Sequence, residues 1–278
     1  MNSTDLQQLV IIGNGMVGHH CLEQLVQRGA LSRYQIHVFS EEPLRAYDRV
    51  HLSEYFGGRD AESLALGDSA LYQTPGVTLH LSVPVLEIDR DSRKIITANG
   101  CVLYDQLVLA TGSFPFVPPI EGAAGNSRLV YRTLADLDTI QAAAKNARRG
   151  VVVGGGLLGL EAANALKSLG LEAHVVEFAP RLMPVQLDDH GGHALKSRIE
   201  ALGVSVHLSR STQSISAGCE YRYRMNFAND EFLETDLIVF SAGIRPQDAL
   251  AKQCELELGP RGGIAIDSQC RSSDANIY

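Results

Sequence analysis

No two of the five cysteines stand close enough in the chain to work as a pair. Cys21, Cys101, Cys219, Cys254 and Cys270 form neither C-x-x-C nor C-x₄-C, the spacings that zinc knuckles, iron–sulfur ligation and dithiol redox motifs require. They are expected as reduced, half-buried side chains, and no metal site is assigned. Basic blocks are missing as well. With 32 acidic against 24 basic residues the net charge is −8, so the counterion release that drives binding to nucleic acid or anionic lipid has no source. Long apolar runs are also lacking. The longest, Val151 to Leu160, reaches ten residues before Glu161 interrupts it, about half of what a bilayer span needs. The opening Met1-Asn2-Ser3-Thr4-Asp5 has no basic head or apolar core of a signal peptide, which makes the cytoplasm the expected location.

What is present is an ordinary folded composition, 45% hydrophobic and 20% charged over 278 residues, enough for about two domains. Leu9-Val10-Ile11-Ile12 breaks directly into Gly13-Asn14-Gly15-Met16-Val17-Gly18 and an amphipathic stretch to about Gln27, which reads as strand, glycine turn, helix. A second strand, Gln35 to Phe39, leads to Glu41-Glu42, and Gly18 to Glu41 is 23 residues, near the offset of roughly 20 for the acid of a dinucleotide fold. The pattern recurs 141 residues later: Val151-Val152-Val153, the turn Gly154-Gly155-Gly156-Leu157-Leu158-Gly159, a helix, the strand Ala173 to Val176 and Glu177. That separation is a domain length, too long for a solenoid repeat. Two apolar strands, Leu107 to Leu109 and Leu237 to Phe240, each end in small residues closing on glycine, Ala110-Thr111-Gly112 and Ser241-Ala242-Gly243. A backbone can approach a ligand closely there.

The predicted fold is α/β with two Rossmann-like dinucleotide-binding domains, the second inserted in the first: residues 1–113, 114–244 and a return over 245–278. In each turn the first glycine permits the tight bend, the second lets the main chain touch a pyrophosphate and the third lets helix pack on strand. Gly13, Gly15, Gly18, Gly154, Gly156 and Gly159, with Met16, Leu157 and Leu158 in the same turns, are therefore candidate cofactor residues. Helix N-termini add free N–H groups and partial positive charge. Glu41 and Glu177 can accept ribose hydroxyls and would repel a 2′-phosphate, which favours NADH; Arg181 keeps NADPH in play, because it could pair such a phosphate. Two dinucleotides side by side suit hydride transfer from a nicotinamide to a flavin. Leu187-Asp188-Asp189-His190-Gly191-Gly192-His193 reads as an aspartate cap opening a helix.

This order of motifs resembles the two-dinucleotide flavoprotein superfamily that includes disulfide reductases, ferredoxin and rubredoxin reductases and NADH oxidases. Ile11 to His19, Ala46-Tyr47-Asp48-Arg49-Val50-His51-Leu52-Ser53, Gly154 to Ala163, Glu177-Phe178-Ala179-Pro180 and Pro260-Arg261-Gly262-Gly263-Ile264 resemble the N-terminal part of the assimilatory NAD(P)H-dependent nitrite reductase large subunits. The resemblance implies FAD on the first unit, Gly13 to Gly18 with Glu41, and NAD(P)H on the second, Gly154 to Gly159 with Glu177. It further implies that Arg49 lies along the flavin, Val85 meets the adenine, Arg132 contacts FAD and Thr111-Gly112 lines its phosphate side. Gly243 and Ile244 would lie near the nicotinamide, and Glu161 would face the ring stack. Where oxidase relatives carry a redox cysteine and ferredoxin-reductase relatives a lysine, this chain has Glu54, and no cysteine lies between Glu41 and Asp60. Thiolate chemistry is thus not expected, and no side chain is assigned a catalytic role.

The same resemblance implies that the return segment is cut short before its last strand, with iron–sulfur and sirohaem modules only further downstream. The expected function is hydride transfer from NADH to FAD, with electrons passed to such a centre for nitrite reduction to ammonium. Open beside it are a stand-alone NADH:rubredoxin or ferredoxin reductase serving a small electron-transfer protein, a non-catalytic FAD/NAD sensor, and homodimer assembly.

Overall fold

The computed structural model describes residues 6–124, 127–228 and 230–278; the signal-peptide reading on Met1 to Asp5 lies outside them. The chain separates into two units, Met1–Asp48 with Ala61–Phe114 and Arg245–Tyr278, and Arg49–Asp60 with Pro115–Ile244.

The first unit opens with β1 (Gln7–Ile12), α1 (Met16–Gln27) and β2 (Tyr34–Phe39), followed by α2 (Ala70–Gln73) and β3 (Val77–His80). An antiparallel trio comes next, β4 (Val85–Asp89), β5 (Lys94–Thr97) and β6 (Gly100–Leu103), and then β7 (Gln106–Leu109). β3, β2, β1 and β7 lie side by side in that order, all parallel. β1 is apolar on both faces because both are covered. Leu9 and Ile11 pack with Leu22 of α1, Ile36 and Val38, while Val10 and Ile12 pack with Ile88, Ile95 and Leu107 over the antiparallel trio. Leu22 is fully buried, so Leu22→Ala would cost about 2–5 kcal/mol.

The return segment reaches back to the first sheet. Its final residues already pair with β7: Ile277 bridges Leu107 in parallel, Leu109 N–H donates to the Tyr278 carbonyl at 2.7 Å, and Tyr278 N–H donates to the Leu107 carbonyl at 2.9 Å. The physical reason is that β7 otherwise presents an edge of unpaired backbone groups, and Ile277, fully buried, closes the core beneath it.

Ser113–Pro115 (β8) and Ile244–Pro246 (β17) carry the chain from one unit to the other and back. In the second unit β9 (Leu129–Val130) precedes α3 (Leu134–Ala144), whose first turn is closed by a reciprocal cap between Thr133 and Asp136. β10 (Arg149–Val153), α4 (Leu157–Ser168), β11 (Glu172–Val176), α5 (Asp189–Ala201) and β12 (Val204–His207) follow. A three-stranded meander, β13 (Thr212–Ala217), β14 (Tyr223–Phe227) and β15 (Phe232–Thr235), leads into β16 (Leu237–Phe240). The parallel sheet runs β12-β11-β10-β16-β9.

The two sheets repeat one register. Val10 stands opposite His37 as Val151 stands opposite His174, and Phe39 opposite His80 as Val176 opposite His207. The segment 49–60, expected with the first unit, packs instead with the second. Tyr55 donates to Asp138 of α3 at 2.7 Å, and Phe56 lies 6.4 Å from the Tyr131 ring at 19°.

Two candidate dinucleotide sites

Each glycine turn follows the central strand of its sheet, beside the point where strand order reverses, which is where open α/β sheets bind ligands. Gly13 has φ +106° and Gly154 φ +119°, backbone that side-chain-bearing residues rarely adopt. A Cβ on Gly13 would run into the Ala110 carbonyl oxygen, and one on Gly154 into that of Ser241. A Cβ on Gly18 or Gly159 would strike the carbonyl oxygen of Gly13 or Gly154 across the helix–strand contact. These four glycines serve the fold.

Gly15 and Gly156 are different. Their φ values, −84° and −80°, suit any residue, and a Cβ on either would meet nothing within 4 Å. Each is also an N-cap without a side-chain hydrogen bond, so no cap consumes the free N–H groups of α1 and α4. An open space bounded by backbone donors at a helix N-terminus suits a pyrophosphate. Gly112 (φ +72°) and Gly243 (φ +107°), at the ends of β7 and β16, likewise leave the space beside them open.

The acids are less alike than their spacing suggested. Glu177 accepts from the Gly155 N–H at 2.5 Å and from the Ala179 N–H at 2.7 Å, which ties the carboxylate to the glycine turn itself. Its own N–H donates to the His207 carbonyl at 2.8 Å, and the matching bond in the first unit, to the His80 carbonyl, comes from Ser40 at 2.9 Å. Ser40 is thus the counterpart of Glu177. Glu41 lies one residue further on and is exposed.

The remaining candidates fall as follows. Met16 and Leu157 are exposed on the first turns of their helices, and Leu158 is half-buried. The Thr111 hydroxyl donates to the Gln247 carbonyl at 2.7 Å, which leaves its backbone as the group facing the turn. Val85 opens β4 at the margin of the first core. Arg132, half-buried, follows β9, and Arg49 belongs to the segment that groups with the second unit. Ile244 is exposed beside Gly243. Glu161, on α4, has its carboxyl pushed up by burial, with His51 acting in the opposite sense.

Asp188 caps α5 through Gly191 N–H at 2.8 Å, and His193 Nδ1 bonds the Asp189 carbonyl. No cluster of metal-ligating side chains occurs among the described residues. The described cysteines are unpaired, and burial pushes the Cys21 and Cys254 thiols up. No helix among the described residues is long and apolar enough to cross a membrane. Asn14 and Tyr72 carried no spacing signal because they lie 58 residues apart in the chain.

A doubled parallel fold with two such turns is the architecture of oxidoreductases that hold two dinucleotides. The chain belongs to the pyridine nucleotide-disulphide oxidoreductase family, whose model matches residues 7–278. It is 57% identical over 270 residues to the nitrite reductase [NAD(P)H] large subunit of Klebsiella oxytoca, covering 97% of this chain and 28% of that protein. It is 50% identical over 273 residues to the nitrite reductase (NADH) large subunit of Escherichia coli, covering 98% and 32%. The chain therefore spans about a third of the length of these curated relatives. Among solved structures, a NAD-dependent persulfide reductase from A. fulgidus superposes with a TM-score of 0.89 at 27% identity, over 98% of this chain and 52% of that one.

Proposed function

We propose that the chain is the electron-entry module of an NADH-dependent nitrite reductase, in which FAD occupies the first glycine turn and NADH the second. The observation that carries this reading is the doubled turn whose middle glycine is held open in both copies. FAD, when bound, accepts a hydride and releases electrons singly. The chain's own residues bind and orient. The turn Gly13–Gly18 and the free N–H groups of α1 receive the FAD pyrophosphate, with Glu41, Val85, Thr111 and Gly112 along the rest of the molecule. The turn Gly154–Gly159, with Met16's counterpart Leu157 and its neighbour Leu158, receives NADH. Glu177 takes its ribose hydroxyls, and Glu161, Gly243 and Ile244 lie toward the nicotinamide end. Holding two reactants in order can remove several kcal/mol of barrier, about 7–11 in the best cases, so no acid or base is needed.

Glu54 occupies the position of a redox side chain, and burial pushes the Cys21 and Cys254 thiols up, away from thiolate chemistry; in this reading electrons leave by way of the flavin. The acceptor in this reading is an iron–sulfur and sirohaem centre elsewhere in a longer protein, and five unpaired cysteines suit the reducing cytoplasm. The test is reduction of ferricyanide by NADH in the presence of FAD, before and after alkylation of accessible thiols. Activity that survives alkylation is the expected result. No NADH-dependent reduction with FAD present, or loss traced to one alkylated cysteine in a folded protein, refutes the reading.

A further inference from the structure

The first glycine turn contains a buried polar chain that the sites above do not use. Asn14, between Gly13 and Gly15, is 7% exposed. The Tyr72 hydroxyl of α2 donates to Asn14 Oδ1 at 2.9 Å, and His19 Nδ1, on the first turn of α1, lies 2.7 Å from the Tyr72 oxygen. The orientation of the Asn14 amide sets the direction. Asn14 Oδ1 can only accept, so it takes the single Tyr72 proton and the Tyr72 oxygen accepts from His19. His19 thus carries its proton on Nδ1. Burial, the largest influence on it, lowers its pKa, with Glu23 opposing and His20 and Arg45 adding to the effect, which favours the neutral ring. With Oδ1 engaged, Asn14 is left with Nδ2, a buried donor without a partner. Arg45 contributes a second, Nη1, while its Nη2 is paired to Glu62 at 2.6 Å.

The second unit indicates where that amide points. Gly155 is the counterpart of Asn14, and a Cβ built on it lies 3.1 Å from Glu177 Oε2. A side chain at this position thus starts beside the room that the Glu177 carboxylate takes in the other turn, and Ser40 stands in Glu177's place. The second turn holds a carboxylate acceptor there, whereas the first carries an unpartnered amide donor. A neutral amide N–H at the positive end of α1, unpaired within the protein, is satisfied by an anionic or hydroxyl oxygen of the ligand.

We propose that Asn14, oriented by the His19–Tyr72 relay, is a positioning donor for FAD, bonding an oxygen at its adenosine diphosphate end. This rests on the assignment of FAD to the first unit. Dissociation constants of the 278-residue chain are measured by flavin fluorescence for FAD, and for ADP by competition against FAD. A hydrogen bond to a charged group contributes on the order of a tenfold change or more. Asn14→Ala is expected to weaken FAD and ADP by the same factor, about tenfold, and Asn14→Asp, which replaces the donor with an anion, by more. Tyr72→Phe keeps the ring and its packing; it should weaken both ligands about threefold, and add nothing in the Asn14→Ala background, because Tyr72 acts through Asn14. Should Asn14→Ala lose its fold, Tyr72→Phe alone carries the test. Unchanged binding in the folded variants, ADP affinity unmoved while FAD falls, or a full Tyr72→Phe effect without Asn14 overturns the relay. A wild-type chain that takes up no FAD overturns the FAD assignment, and the relay with it.

Discussion

Substituting the middle glycine of each turn separates binding from folding. At Gly15 and Gly156 the backbone already has φ near −80° and extended ψ, and a methyl group would touch no protein atom. Alanine there loses less chain entropy on folding than glycine and should stabilise the ligand-free protein by about 0.4–1 kcal/mol. For a protein of this size that is a rise in melting temperature of roughly 1–4 °C. The same methyl group occupies the space in which a pyrophosphate must lie, and overpacking of that order costs about 1–3 kcal/mol, or roughly five- to hundredfold in affinity. Gly15→Ala should therefore melt slightly higher and bind FAD more weakly with NADH binding intact, and Gly156→Ala should do the converse. Gly18→Ala is the control. Its Cβ meets the Gly13 backbone, so it should unfold at lower temperature whether or not ligand is present. Thermal melts without ligand and separate FAD and NADH titrations check all three. A lowered melting temperature for Gly15→Ala, or an FAD dissociation constant equal to wild type, would refute the assignment of that space to the ligand.

Two further outcomes follow from the second unit. Glu177→Ala removes the carboxylate tied to Gly155 and should bring NADPH use up toward NADH use by about tenfold; an unchanged ratio in ferricyanide assays would show that the acid does not select the nucleotide. The pair His174 and His207, 2.9 Å apart and stacked at 11°, should make stability depend on pH. Burial lowers the pKa of His174 foremost, with Glu172 opposing and Arg149 assisting. Burial lowers that of His207 too, joined by His174, Arg210 and Lys196 against Glu200. Folded values below the unfolded one mean that the unfolded chain takes up protons first, so stability is present above about pH 6.5 and is lost as pH falls. Each histidine can contribute at most about 1.4 kcal/mol per pH unit. Urea unfolding at pH 7.5 and 5.5 should show a smaller loss in His174→Gln than in wild type; an equal or larger loss would remove the histidine pair as the cause.

The parts of the fold legible in the chain are those that backbone chemistry dictates. The unbroken apolar run of β1 requires cover on both faces, and glycine at 13, 18, 154 and 159 answers collisions that any other residue would suffer, so strand, turn and helix could be read from neighbours. What depends on register could not. Nothing local distinguishes Glu41 from Ser40 as the partner of Glu177; the choice follows from which residue bonds the His80 carbonyl. Tyr72 reaches Asn14 across 58 residues, and no periodicity links them. Segment 49–60 joins the second unit through the Tyr55 hydrogen bond to Asp138 of α3 and the Phe56 ring against Tyr131, contacts made only across the fold.

The outermost strands have a consequence for how the chain emerges from a ribosome. In the second unit that strand is β9, already made when its partner β16 appears, so Phe240 completes the sheet. In the first unit the partner of Leu107 is Ile277, 170 residues later. The glycine turn synthesised first is therefore the last to gain a finished sheet, because the whole second unit is made in between. A pause in translation between residues 244 and 276 leaves β7 with an open edge, the kind of surface that recruits another strand.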